Sequence, residues 1–180
     1  MDDIVKQAMA KWPNVPDCYG WLGLDARGNW YMRDDAAQAA GAFQSDKPGA
    51  KGSLLKHDKL IEFIQRNYAC NAQGHWYFQN GPQRVYVELS ATPWIWRVDS
   101  QQNLTAHDGQ SVDFRKALVD EHGWLYLETN RGFGLVHTQD VSAAADAVES
   151  RRWPLIELQR ATLPTRYGYV TSPQAVNGGP

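Results

Sequence analysis

The chain has 180 residues, of which 43% are hydrophobic and 21% charged, with a formal net charge of -2. This length supports one sizeable core or two small packed halves, and the small charge provides no general attraction for nucleic acid or an anionic membrane. Apolar runs are too short for a membrane span, and Met1-Asp2-Asp3 lacks the basic start of a secretory signal. Two cysteines are too few for a disulfide scaffold, so the composition predicts a soluble cytoplasmic protein with reduced thiols.

An amphipathic helix is predicted first, because apolar residues recur at helical spacing until Pro13 stops the pattern. Those apolar positions are Ile4, Val5, Ala8, Met9 and Trp12. The extended connector "PNVPDCYG" then leads into a first hairpin. Residues 35–53, rich in Ala, Gly, Asp and Lys, are predicted to be a long loop with room for a short helical piece.

Three similar phrases predict hairpin tips: "LGLDARGNWYM", "YACNAQGHWYF" and "ALVDEHGWLYL". Each has Asp or Asn three residues before a Gly. The side-chain oxygen of Asp or Asn can begin a type I turn by accepting a hydrogen bond from the backbone N–H two residues later. Gly at the end of the turn tolerates a positive φ. The pattern predicts three-residue loops with a glycine bulge. The paired turn residues are Asp25 with Gly28, Asn71 with Gly74, and Asp120 with Gly123.

The length of these loops sets which residues face each other. A three-residue loop pairs apolar residues on one side of the sheet, whereas a two-residue loop would mix the two faces. The predicted pairs are Leu22–Met32, Leu24–Trp30, Tyr68–Phe78, Cys70–Trp76, Ala117–Leu127 and Val119–Leu125. The second member of each pair is predicted to enter a core, and Tyr31, Tyr77 and Tyr126 to point to the opposite face.

The strongest helix pattern is "HDKLIEFIQRNY", with Asp58 or Ser53 as its cap. The segment "HWYFQNGPQRVYVELS" then predicts strand, turn and strand, and "TPWIWRV" a further strand that Pro93 places at an edge or bend. Strands follow at about residues 114–119, 125–129 and 133–137. An Ala-rich helix, "DVSAAADAVES", with Asp140 as its cap, precedes two closing strands, "LIEL" and "RYGYVTS".

These elements predict an α+β fold, a mostly antiparallel sheet built from hairpins in two packed halves with about three helices. The polar stretch at residues 100–111 is the predicted boundary. The halves are an N-terminal α+β half at residues 1–100 and a C-terminal β-rich half at 101–172. Residues 173–180 are predicted to be a disordered tail.

The strings "GWLGLDARGNWYMRD", "WYFQNGPQRVYVELSATPWIWR" and "TNRGFGLVHT" resemble a family of proteobacterial proteins of about this length, known as a domain of unknown function. The resemblance covers nearly the whole chain. A weaker similarity reaches a second uncharacterised family, in which a helix leads into "D-x-x-G-x-Y" and two β-rich halves pack together. This implies a compact two-part α+β architecture. Neither family brings an established reaction or catalytic residues.

Reaction motifs are sparse in this sequence. No histidines stand at metal-ligand spacing on one helix and no Cys joins them, so neither a metal site nor a cofactor is predicted. His75 and His122 fall in predicted turns, where a solvated side chain is expected. Cys70 is predicted to be buried on the core face, whereas Cys18, in a loop, is the better candidate for a reactive thiol.

The most distinctive polar cluster surrounds "QNGPQR". Amide and guanidinium groups beside aromatic rings suit a small polar ligand, a peptide carboxylate or a sugar. The alternative is a turn whose side chains satisfy local backbone groups. The predicted binding residues are Trp76, Gln79, Asn80, Gln83, Arg84, Tyr86, Trp94 and Trp96.

The leading functional hypothesis is a non-catalytic binding or sensory module that recognises a small polar ligand or a protein. One alternative is a small hydrolase or transferase whose site assembles only in the fold, from His137 with Glu128 or Cys18. Another is a scaffold that forms a homodimer through an exposed strand, residues 94–98. Neither a nucleic-acid nor a membrane partner is expected.

Overall fold

The structure, a computed structural model, describes residues 1–177. They form two compact units. The first holds residues 1–25, 29–90 and the C-terminal residues from 169, and the second holds residues 26–28 and 91–168. The chain therefore changes unit after Ser90, because the strand that follows pairs with strands later in the sequence.

The first unit contains one six-stranded sheet and the helices beside it. In chain order its elements are α1 (Asp3–Lys11), β1 (Cys18–Leu24), β2 (Trp30–Met32), α2 (Asp35–Ala40), β3 (Ser53–Leu54), α3 (Asp58–Arg66), β4 (Tyr68–Cys70), β5 (Trp76–Asn80) and β6 (Gln83–Leu89). The strand order is β3-β2-β1-β6-β5-β4.

The second unit contains a seven-stranded sheet. Its elements are β7 (Trp94–Val98), β8 (Leu104–Ala106), β9 (Ser111–Val112), β10 (Phe114–Val119), β11 (Leu125–Thr129), β12 (Gly132–Val136), α4 (Val141–Glu149), β13 (Leu155–Glu157) and α5 (Leu163–Tyr167). The strand order is β13-β10-β11-β12-β7-β8-β9. The chain then returns to the first unit, where α6 (Pro173–Asn177) lies beside β6.

The predicted mixture of helix and sheet is confirmed, but both sheets are mixed rather than purely antiparallel. The parallel pairs are β1 with β6, β10 with β13 and β7 with β12. Parallel neighbours need a long connection, so no local turn signal marks them in the sequence. Residues 1–177 include six α-helices, of which three have nine residues and match the three predicted ones.

The predicted hairpin register is confirmed at all three tips. All six predicted pairs face each other across their strands. Gly28, Gly74 and Gly123 have φ of 81°, 82° and 80°, in the left-handed region that such loops require. The Asn71 Oδ1 atom accepts bonds from the backbone N–H groups of Gln73 at 3.0 Å and His75 at 2.9 Å, as the turn prediction requires.

Most of the predicted core positions are buried, with three exceptions, of which Trp76 is half-buried. Trp30, Phe78, Leu125 and Leu127 are buried. Met32 and Cys70 are exposed. Each stands at the last position of a three-residue strand, so strand parity alone overestimated burial at these strand ends.

Several local predictions were wrong for identifiable reasons. The segment "RYGYVTS" is no strand, because α5 ends at Gly168, whose φ of 63° turns the chain away. His57, rather than Asp58 or Ser53, caps α3 with its side chain. Asp140 precedes α4 but instead binds Arg97 and the backbone N–H of Val98.

The C-terminal residues also differ from the predicted tail. Residues Pro173–Asn177 form α6, and its first turn is fixed because the Gln174 backbone N–H donates to Glu88 Oε1 at 3.0 Å. Gln44 Nε2 donates to the other oxygen of the buried Glu88 carboxylate at 3.1 Å. The rest of the predicted tail, residues 178–180, lies outside the described residues.

Candidate functional site

The structure divides the predicted binding residues between the two units. Trp94 and Trp96 lie in β7 of the second unit, where they are 6% and 0% exposed. Their rings stack at 5.9 Å, and Trp96 Nε1 donates to the Leu127 carbonyl at 2.9 Å. These contacts make the two tryptophans part of the core of that sheet. The other predicted residues, on the β5–β6 hairpin, are Trp76, Gln79, Asn80, Gln83, Arg84 and Tyr86.

Strand alternation sorts the hairpin residues between two faces of the first sheet. Gln79 lies directly opposite Arg84, so both point to one face. Tyr86 shares this face with them, whereas Trp76 and Asn80 point to the other. Gln83 stands at the turn, where its Nε2 donates to the Pro16 carbonyl at 3.1 Å, a local backbone contact.

A cleft of about 310 Å³ lies against Gln79 and Arg84. The hairpin forms one wall and the end of α1 with the following connector forms the other. We call it the α1–hairpin cleft, and its main lining residues are Met9, Trp12, Asp17, Gln79, Pro82 and Arg84. Sequence reasoning identified the hairpin side but missed Trp12 and Asp17, since nothing local indicates that α1 packs beside this turn.

Gln79 is the most unusual residue of the cleft. It is 1% exposed, and its Nε2 donates to the Gly81 carbonyl at 3.0 Å. Its Oε1 is buried but accepts no hydrogen bond from any side chain or backbone group in residues 1–177. Leaving a buried acceptor unsatisfied costs about 1–3 kcal/mol, and such groups are few in native proteins. A bound donor would remove this cost.

The cleft also carries opposite charges on its two walls. Burial lowers the pKa of Arg84, but the hydrogen bond with Tyr86 and the nearby Tyr77 and Asp17 raise it above its usual value overall. The guanidinium lies 5.1 Å from the centre of the Tyr77 ring. It is therefore a fixed positive charge, and the exposed Asp17 carboxylate provides a negative group on the opposite wall.

An aromatic cluster holds the same face of the sheet in place. The Tyr19 and Tyr86 rings stack at 4.6 Å and within 3° of parallel, and the His75 ring meets Tyr86 edge-on at 5.9 Å. His75 was predicted to be solvated in its turn but is buried, because α6 brings Asn177 Nδ2 to 3.0 Å from its Nδ1. This packing fixes the strand positions next to the cleft.

Each of the three residues of the enzyme hypothesis has local contacts of its own. His137 Nδ1 accepts a bond from the Gln139 backbone N–H at 3.1 Å, and Glu128 Oε2 lies 3.8 Å from Lys116 Nζ. Cys18 belongs to the first unit, and burial raises the pKa of its thiol, which disfavours the reactive thiolate. Within residues 1–177, no three His, Cys, Asp or Glu side chains are grouped so as to hold a metal ion.

Strand Trp94–Val98 was predicted to be an exposed edge that pairs two copies of the chain. It is instead an interior strand, because β12 pairs with one side of it and β8 with the other. Pro93 precedes its first paired residue and so removes no hydrogen bond from the ladder. None of the helices formed by residues 1–177 combines the length and the apolar character needed to cross a membrane.

Together, the two mixed sheets and their helices define a mixed α/β protein, and the α1–hairpin cleft lies on its first sheet. The chain belongs to the family described as "Protein of unknown function (DUF2946)", whose sequence profile matches residues 1–174. That description states no activity.

Two solved structures are similar to this chain. A crystal structure of a DUF1285 family protein from Silicibacter pomeroyi has 13% sequence identity and a TM-score of 0.47, with 81% of this chain and 84% of that chain covered. A crystal structure of a DUF1285 family protein from Shewanella baltica has 14% identity and a TM-score of 0.47, with 71% and 91% covered. No curated protein matches the chain in sequence.

Proposed function

We propose that this protein is a non-catalytic binding module that takes a small zwitterionic ligand, of the size and charge pattern of an amino acid, in the α1–hairpin cleft. The observation that carries the proposal is the buried Gln79 Oε1, which lacks a donor in residues 1–177 and belongs to a residue lining the cleft. A ligand N–H or O–H group would satisfy this oxygen after a movement of the amide that turns it toward the cleft.

The charges of the cleft support the choice of a zwitterion. Arg84 presents a planar guanidinium that suits a carboxylate, and Asp17 on the other wall suits an ammonium group. A zwitterionic ligand places an opposite charge against each of the two walls. Trp12, an exposed ring at the cleft, adds an apolar surface for the ligand's carbon atoms.

The volume of the cleft supports the same ligand size. At roughly 30 Å³ per small polar group in the liquid state, about 310 Å³ holds about ten non-hydrogen atoms. A free amino acid or a related amino carboxylate fits this size. A folded protein segment does not enter such a volume, so the small-ligand form of the binding hypothesis is favoured over the protein-binding form.

Calorimetric titration with the common L-amino acids tests the proposal. We expect at least one to bind, and its decarboxylated amine and its deaminated acid to bind at least tenfold more weakly, since each loses one charge contact. Arg84→Gln should weaken binding at least tenfold, and Asp17→Asn should act in the same direction. Arg115→Gln, an exposed arginine in the second unit, is the matched control and should leave affinity unchanged.

Two results would contradict the proposal. One is the absence of heat and of any ligand-induced rise in melting temperature across the whole set. The other is equal affinity in the Arg84→Gln variant. We also infer a cytoplasmic location from the composition, which cell fractionation tests, and a proteobacterial source from the sequence resemblance.

A further inference from the structure

A second cavity, of about 290 Å³, lies on the opposite face of the same sheet. Phe78 and Val85 point to this face, because each alternates with a residue of the α1–hairpin cleft along its strand. Helix α3 covers part of the face, where Phe63 meets Phe78 edge-on at 5.5 Å and Ile64 is buried. The cavity lies between α3 and the first hairpin, and we call it the α3 cavity.

Large apolar side chains surround this cavity. Trp21, Met32 and Leu60 line it and remain exposed to solvent, which is costly for three neighbouring residues of this size. The lining residues with polar side-chain groups are Asn80, with an amide, Trp21, with an indole N–H, and Cys18, with a thiol, and none of the lining residues carries a formal charge. An occupant therefore meets an uncharged, mostly apolar wall with one hydrogen-bonding amide.

We propose that the α3 cavity binds a neutral small molecule with a hydrocarbon body of about ten carbon atoms and one polar head group that hydrogen-bonds to Asn80. Its volume excludes a helical segment, since two turns of helix about 10 Å wide occupy on the order of 800 Å³. Its neutral wall disfavours a carboxylate or phosphate, because no lining residue offers an anion a cationic partner. A hydrophobic alcohol satisfies both conditions.

The two cysteines allow a site-specific test of this proposal. Cys18 lines the cavity, whereas Cys70 is exposed at the end of β4 and does not line it. The full chain is labelled with N-ethylmaleimide, with and without 1-octanol, and modification of each cysteine is followed by mass spectrometry of peptides. We expect 1-octanol to slow labelling of Cys18 at least fivefold and to leave Cys70 unchanged. Octanoate at the same concentration should protect Cys18 far less.

A pair of variants supplies the control for the position of the site. Met32→Glu places a charge in the lining at a side chain that is 44% exposed, so the fold should tolerate it. Leu54→Glu places the same charge on the neighbouring strand, at a side chain that is 43% exposed but outside the lining. Met32→Glu should abolish protection by 1-octanol, and Leu54→Glu should retain it, with matching melting temperatures.

The proposal is overturned if 1-octanol does not protect Cys18, if it protects both cysteines equally, or if Met32→Glu keeps full protection. Octanoate protecting as strongly as 1-octanol would overturn the neutral-ligand assignment. These readouts do not involve amino acid binding, so the proposal for the α3 cavity and the proposal for the α1–hairpin cleft are tested independently.

Discussion

His107 is held uncharged in the second unit, which makes the stability of the protein depend on pH in a defined window. The residue lies in the turn between β8 and β9, where its Nδ1 accepts a bond from the Ile95 backbone N–H at 3.2 Å. Its ring lies 5.3 Å from the Trp94 ring. Burial lowers the pKa of His107 from 6.5 to about 4, with Asp108 raising it in part and Arg131 lowering it further.

The sign and size of the effect follow from these two pKa values. The unfolded chain takes up a proton at this histidine near its ordinary pKa, whereas the folded chain resists protonation until about pH 4. The free energy of unfolding therefore falls as the pH falls from about 6.5 to 4 and is insensitive to His107 above that window. Over a window of about 2.5 pH units, at about 1.4 kcal/mol per unit, the loss is at most about 3.5 kcal/mol, and about 3 kcal/mol of it is reached by pH 4.

His107→Asn isolates this contribution, because asparagine does not titrate and its side-chain oxygen can still accept from the Ile95 N–H. We expect urea unfolding of the wild-type chain at pH 7, 6, 5 and 4 to show about 3 kcal/mol more acid destabilisation than the variant shows. Carboxylates present in both chains cancel in the comparison. Parallel pH profiles, or a His107 ring that titrates near pH 6.5 in NMR spectra, would refute the reasoning.

Two further predictions concern stability and use urea unfolding at neutral pH. Gln102 has a φ of 65° in the turn after β7, so Gln102→Gly should raise the free energy of unfolding by about 1 kcal/mol, and no gain would mean that this turn is unstrained. Arg33 is buried and donates to three backbone carbonyls within 3.0 Å. Arg33→Met should cost about 4 kcal/mol, and a cost below about 1 kcal/mol would show that these carbonyls find other donors.

The hairpins could be predicted because their chemistry is local. Asp or Asn, then Gly three residues later, determines both the turn and the register of the flanking strands. The same geometry also occurs after β7, where Asp99 Oδ1 accepts from the Asn103 N–H at 2.9 Å. The sequence pattern does not predict that turn, because Gln102 stands at the position where the other turns have glycine.

Strand β7 could not be placed from its own residues. The alternation in "TPWIWRV" suggests that the tryptophans lie on a buried face of the strand and that the opposite face is exposed to solvent. Pro93 suggests that the strand lies at the edge of its sheet. Ile95 is as buried as Trp96, because both faces of this strand are covered and β12 and β8 occupy both sides. A strand buried on both faces is apolar at nearly every position, so its sequence does not show where in the sheet it lies. The interior position of β7 depends on its parallel pairing with β12, which is distant in the sequence.

Only one wall of the candidate cleft, the β5–β6 hairpin, could be predicted from the sequence. Gln79 and Arg84 are cross-strand neighbours in a hairpin whose turn, Gly81-Pro82, is visible in the sequence. Trp12 and Asp17 reach the cleft through the packing of α1 beside the hairpin, a contact between segments more than sixty residues apart. Local patterns do not encode such a contact, so the acidic wall and the zwitterionic character of the cleft appear only in the fold.

The residues proposed to bind ligands also disfavour any shift in the strand pairing of the β5–β6 hairpin. With the observed pairing, Arg84 points to the cleft, and its neighbour Val85 points to the α3 cavity. A slip of one residue in β6 would exchange them and bury the guanidinium against an uncharged apolar wall. Burying an unpaired charge costs more than the pairing of a short strand can return. The polar and apolar faces therefore exclude the wrong pairing as well as shaping the two cavities, so folding constrains the same side chains that are proposed to bind ligands.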